Sequence, residues 1–220
     1  MKPLFWTILL FTTTVFAQSG NSLDQVFAKM DQASRTFRSI EANIERTHVT
    51  VLVDDKDVSY GKFYYVRSGK DPRVKLELLK PNAEFVLIDA GKLQHYMPKV
   101  NQVQEKALGT IRNQVEMFMA LGFGQSSQEL KSNFDVTLIG EEAIDGQKTI
   151  VLDLKPKSGS MFKSVRMWMD PQKWISLQTK ITESSNDYMI MKFTNAKLNA
   201  GIPNSRFKLN MPKNVKVIKL

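Results

Sequence analysis

The sequence contains no cysteine. That excludes disulfides, thiol nucleophiles and thiolate metal sites, so packing alone must hold the fold. Histidine is almost absent as well, with His48 and His95 the only two. Both fall in stretches that read as strands, and neither has acidic residues around it at metal-ligand spacing. They are read as satisfied or surface histidines. No Gly-x-Ser-x-Gly elbow, Walker loop or dinucleotide fingerprint occurs. The carboxylate pair Glu141-Glu142 sits beside a turn and is read as solvated. These absences argue against an enzyme, and no metal or cofactor is expected.

Long apolar runs are also scarce. The one at the start, Leu4–Phe16, follows the positive Met1-Lys2-Pro3 and ends at Val15-Phe16-Ala17, a small-residue cleavage pattern. Residues 1–17 are therefore expected to be a secretory signal peptide, with the mature chain starting near Gln18. The run is short for a bilayer span, and no cysteine follows it to carry a lipid. One domain over residues 18–220 is expected, exported and large enough for a sizeable core.

The formal charge is +9 and the sequence pI about 9.6. Lysines and arginines are spread along the chain, which suits a solvated outer face. Nucleic acid is not an expected partner after export. A mild attraction to anionic membrane surfaces or acidic partners is compatible with the charge.

After the leader, Asn21 or Ser22 caps an amphipathic helix carrying Leu23, Val26, Phe27, Met30, Ala33 and Phe37, expected to run to about Arg38. From Ser39 the period changes to two. Ile40, Ala42 and Ile44 alternate with Glu41, Asn43 and Glu45 in a strand that runs on to Val53. Further strands are predicted at Val58–Arg67, Val74–Leu78, Glu84–Asp89 and Leu93–Met97. Pro98–Gly109 is a polar stretch with no predicted element. A capping box at Ser126 and Glu129 predicts another helical turn. Strands resume at Phe134–Ile139 and, after the Asp145-Gly146 hairpin turn, Thr149–Leu154. The last are Met161–Met169, Trp174–Thr182, Tyr188–Leu198, Phe207–Asn210 and Val215–Ile218. No repeat or linker divides the chain. Regularly spaced strands with few helices predict a mainly β (α+β) fold, one large antiparallel sheet that curls.

Ile111–Gly124 stands apart. It is apolar and helix-favouring, with Val115, Phe118, Met119 and Leu121 on one face, and Gly122-Phe123-Gly124 reads as its stop. Either it is a core helix on the sheet or it covers the sheet's open mouth. Ten of the eleven methionines follow the leader. Val165, Met167 and Met169 share one strand face, and Met189, Met191 and Phe193 another. Methionine fills cores, and it also suits surfaces that fit varied apolar shapes. With a curled sheet and an apolar helix, the pattern points to a lipid or apolar-ligand cavity.

The order of these elements resembles the LolA-type outer-membrane lipoprotein carriers. The resemblance rests on Thr36–Ala42, on Gly61-Lys62-Phe63-Tyr64-Tyr65-Val66-Arg67 and on Asp89–Pro98. It continues in Met119–Gly124, Val165–Pro171 and Phe207–Ile218. It implies an unclosed β-barrel of about ten to eleven strands with a helical lid over an apolar cavity. The acyl-chain cavity would be lined by Phe63, Tyr65, Val74, Leu76, Leu78, Met167, Met169, Met189 and Met191. Met117, Phe118 and Leu121 would belong to the lid. Arg67 falls at the position of the family's lid-locking arginine, although Ser68 replaces the proline that usually follows. The implied function is a monomeric periplasmic carrier of acylated lipoproteins or other lipids. Its implied partners are an inner-membrane lipoprotein-releasing transporter and an outer-membrane receptor. Rival readings are a lipid- or lipoprotein-sensing module that signals to a membrane regulator, and a carrier of free lipid or glycolipid.

Overall fold

The computed structural model describes residues 22–67, 72–107, 122–157 and 162–220. The predicted signal peptide, Ser68, Met161 and the lid residues Met117, Phe118 and Leu121 lie outside the described residues.

Helix α1 spans Leu23–Thr36. Ser22 caps it, and Gln25 completes a capping box by returning its side chain to the Ser22 amide. The helix ends before Arg38 because Phe37 is already extended and turns its ring into the core. Strands follow as β1 (Ser39–Thr50), β2 (Asp55–Val66), β3 (Arg73–Lys80), β4 (Glu84–Asp89), β5 (Lys92–Met97) and β6 (Gln102–Ala107). The expected capping box forms at Ser126 and Glu129 and starts the short helix α2 (Ser127–Asn133). Then come β7 (Phe134–Ile144), β8 (Gln147–Pro156), β9 (Phe162–Met169), β10 (Ser176–Glu183), β11 (Tyr188–Leu198) and β12 (Lys216–Lys219).

All twelve strands belong to one sheet, in the order β12-β6-β5-β4-β3-β2-β1-β11-β10-β9-β8-β7. Pairing is antiparallel except between β12 and β6. The outermost strands, β12 and β7, do not pair with each other, so the curved sheet is unclosed. The long Asp145-Gly146 hairpin forms as expected, with both residues at positive φ between β7 and β8.

Among the described residues the strand count is twelve rather than ten or eleven, and several boundaries differ from expectation. Strand β1 ends at Thr50 and not Val53, because Val51–Val53 turn in a 3₁₀ helix that closes on Asp54 at positive φ. Gln102–Ala107 is a strand despite its polar sequence, because β5 pairs with it on one side and β12 on the other. Phe207–Asn210 is not a strand. Phe207 leaves the ladder and packs with Tyr64 and Leu87 on the sheet's outer side. Trp174 stands in a turn at φ 53, its amide bonded to the Asp170 carbonyl, so β10 begins only at Ser176.

Strands β2 and β3 approach each other closely at one irregular point. A bulge separates Tyr60 from Gly61, and a Cβ at position 61 would lie 1.7 Å from the Glu77 carbonyl oxygen. Only glycine lets the two backbones come that close. On the concave side, alternation places the apolar residues of β1, β2, β3, β8, β9, β10 and β11 in one cluster beneath α1, whose Val26, Phe27 and Met30 are buried against it.

Candidate functional site

The concave face is built pair by pair from strand register. Ile40 stands opposite Tyr65, and Ala42 opposite Phe63. Tyr65 and Phe63 in turn face Val74 and Leu76. On the other side of β1, Ile44 meets Phe193 and Arg46 meets Met191. Met191 faces Thr179, which faces Met167. Eight of the nine residues expected to line a cavity are buried in this cluster, and Met189 packs half-buried against it. The structure therefore brings all nine together on one apolar face.

The middle of that face is occupied by Phe123, which sequence reasoning treated only as part of a helix stop. Its ring stacks on Phe63 with centroids 5.4 Å apart and meets Phe193 edge-on at 4.8 Å. Only 1% of Phe123 is exposed. The Gly122 carbonyl accepts the Ser176 amide at 2.8 Å, which pins the segment to β10. An aromatic between two glycines was the available signal: flexible backbone on either side of a large apolar side chain.

Arg67 holds the rim of the face. Its backbone amide donates to the Arg38 carbonyl at 2.8 Å. Its Nη1 donates to the Ser34 carbonyl in the last turn of α1 at 2.9 Å, and its Nη2 donates to the Gly124 carbonyl. The guanidinium also lies 5.7 Å from the Phe37 ring centroid. One side chain thus links β2, α1 and the chain just after residue 121. Asp31 of α1 adds a second tie, accepting the Ser127 amide and hydroxyl at 2.6 and 2.8 Å.

Beyond Ile44 the same face becomes polar. Arg46 Nη2 lies 2.9 Å from Glu84 Oε2, and His95 Nε2 lies 2.7 Å from Glu84 Oε1. Arg46 and Glu84 are on β1 and β4, with two strands between them, so a flat sheet would separate them by roughly 14 Å. They meet because the sheet curls. The contact with His95 is the main cause that holds the Glu84 carboxyl down at about 2, against the cost of burial, and Arg46 adds to it. Of the two readings expected for His95, satisfied or surface, the structure places it half-buried against Glu84. Among the described residues no group of three or more His, Asp or Glu stands ready for a metal.

Among the described residues an open, partly polar cleft of about 490 Å³ runs between α1 and the Pro171–Trp174 turn, lined by Lys29, Gln32, Gln172 and Lys173 among others. Among the described residues no helix is long and apolar enough to cross a membrane.

Residues 35–210 match the family model described as outer membrane lipoprotein carrier protein LolA. The chain is 23% identical, over an alignment of 220 residues, to the uncharacterized protein MJ0687 of Methanocaldococcus jannaschii, covering 99% of this chain and 60% of that protein. The chain therefore spans less than two thirds of that relative. Among solved structures, an uncharacterized conserved protein from Thermus thermophilus superposes with a TM-score of 0.56 at 13% identity, over 90% of this chain and 98% of the other. MucB superposes with a TM-score of 0.53 at 14% identity, over 89% of this chain and 64% of MucB. At these identities the likeness to the two structures concerns the fold alone.

Proposed function

The chain belongs to the LolA family of outer membrane lipoprotein carrier proteins, and from that premise we propose that it is a periplasmic lipoprotein carrier. In this reading it is a binding protein without catalysis. It takes acylated lipoproteins from an inner-membrane transporter, shields their acyl chains on the concave face, and passes them to an outer-membrane receptor. The observation that supports it is the continuous apolar face from Val74 to Met169, with the Phe123 ring lying in it.

A carrier needs a face that is apolar enough to accept chains and still able to release them. Burying one CH₂ is worth ~0.8 kcal/mol, so a ~16-carbon chain gives roughly 12 kcal/mol when fully sheltered. Several such chains would dissociate too slowly for transport. An apolar side chain that occupies the face when it is empty lowers the net affinity, because the ligand must displace it. Phe123 has that geometry. The lid residues Met117, Phe118 and Leu121 are proposed to act with it, and Arg67 to hold the closed empty form.

The test is native mass spectrometry of protein purified from the periplasm, followed by transfer assays with spheroplasts. A co-purified acylated species, and lipoprotein release that depends on the added protein, support the reading. Purification without acylated ligand, together with no release, overturns it.

A further inference from the structure

The polar end of the concave face has a composition that the apolar face does not explain. Ile40, Ala42 and Ile44 are buried, and Arg46 continues their series on β1. Register carries the same face to Ser59 on β2, to Glu84 opposite Leu78, and to His95 opposite Val86. The side chains of Arg46, Glu84 and His95 keep 19, 24 and 26% of their surface exposed. The face therefore opens where it turns polar, and a chain lying on the methionines would have its head at this cluster.

The cluster's charge is selective. Arg46 and Glu84 cancel each other. Both hydrogen bonds of Arg46, to Glu84 and to Ser59 Oγ at 3.5 Å, leave from Nη2. Among the described residues Nε and Nη1 have no protein acceptor, so donors remain on a guanidinium whose charge Glu84 already pairs. His95 Nε2 stands 2.7 Å from the second oxygen of Glu84, so the carboxylate sits between the imidazole and the guanidinium. A phosphate or carboxylate arriving here meets a fixed like charge and a cation already paired. A carbonyl oxygen meets spare donors and no repulsion.

We propose that Arg46, Glu84 and His95 form a polar subsite that seats the uncharged, carbonyl-bearing linkage of an acylated ligand, an ester or an amide, and disfavours anionic heads. The inference rests on the carrier reading and narrows it to a class of cargo: ester- or amide-linked acyl chains with no anionic group beside the linkage, in contrast to phospholipids, which carry a phosphate there, and free fatty acids, which carry a carboxylate.

The experiment uses the mature protein with a polarity-sensitive acyl fluorophore, displaced by 1-palmitoylglycerol, palmitate or 1-palmitoyl-lysophosphatidate below their micelle concentrations. The wild type is expected to bind the glyceride at least about tenfold tighter than either anion, the scale of one charge-assisted hydrogen bond. Glu84→Gln frees the Arg46 charge, and the order is expected to reverse toward the anions. A wild-type ranking that is flat or favours an anion overturns the subsite, and this arm decides the matter even if the variant does not fold. A folded Glu84→Gln protein that keeps the wild-type order overturns it too. In these cases binding of the fluorophore leaves the carrier reading standing. If neither fluorophore nor any of the three ligands binds, both fall together.

Discussion

The rings of Phe63 and Phe123 are stacked at 5.4 Å in the centre of the concave face, on the ground proposed for an acyl chain. Phe123 comes from the chain segment after residue 121, whereas Phe63 belongs to β2. The contact is therefore one the protein makes with itself across the ground a ligand would take. Phe123→Ala removes it and leaves a cavity, so the empty protein should lose about 3–5 kcal/mol of stability in urea unfolding. Affinity for an acyl fluorophore should move the other way and rise, since nothing has to be displaced. If affinity falls together with stability, Phe123 is a wall of the site and not a stand-in for its ligand.

Arg67→Leu breaks the bonds to the Ser34 and Gly124 carbonyls at once. Each carbonyl loses a charged donor, and a stability loss of about 1–3 kcal/mol is expected. Amide exchange should speed up around residues 122–125, while that of β8 and β9 stays slow. In transport the variant should accept cargo and hand it over slowly, because the empty closed form that competes with cargo is weakened. Handover to the receptor at the normal rate from spheroplasts would remove the role assigned to Arg67.

Gly124→Ala tests the same corner from the backbone side. Gly124 has φ +68, and a Cβ there would stand 2.2 Å from the Phe37 ring. Gly146 in the β7–β8 turn has φ +77 with open space around it. Gly146→Ala should therefore cost about 1 kcal/mol from the left-handed backbone alone. Gly124→Ala should cost more than that, since the Phe37 ring must also move. Equal urea midpoints for the two variants would mean that the ring yields freely.

These contacts mark the limit of what the sequence made legible. Alternation in Ile40, Ala42 and Ile44, and in Met167 and Met169, was sufficient to place each strand's inner face, because burial on one side forces a period of two. The strand Gln102–Ala107 was hidden because only Val103 is buried and the rest is polar. Its strand character comes from pairing with β5 and β12, which a local pattern of polar residues does not reveal. Phe207 misled for the opposite reason: it is apolar and buried, but against Tyr64 and Leu87 outside the ladder. Arg67 entered through family likeness, and the structure supplied its two carbonyl acceptors. Phe123 as an occupant of the face had only the signal of an aromatic between two glycines, and the Arg46–Glu84–His95 cluster had none. The cluster has no spacing motif, since its members sit on three different strands, and Arg46 meets Glu84 only through the curl.

The cluster also sets an acid limit on stability. Glu84 is lowered from its ordinary 4.5 to about 2, chiefly by His95 and further by Arg46. A carboxyl whose folded value is depressed stabilises the protein at pH above its unfolded value. That contribution is lost as the pH falls from about 4.5 through about 2. The side chain is 24% exposed, so the full shift is not strongly discounted by solvent and corresponds to about 3 kcal/mol. Unfolding free energy followed from about pH 5 to about pH 2 should fall by that order in the wild type beyond what other carboxylates contribute. Glu84→Gln should start lower at neutral pH, because Arg46 is left partly buried without its counter-charge, and should show a shallower slope in the acid window. His95→Gln should lie between them, keeping the Arg46 pair and losing the larger cause of the shift. Parallel curves for wild type and Glu84→Gln across that window would show that the ion pair spanning the concave face is not what acid dismantles.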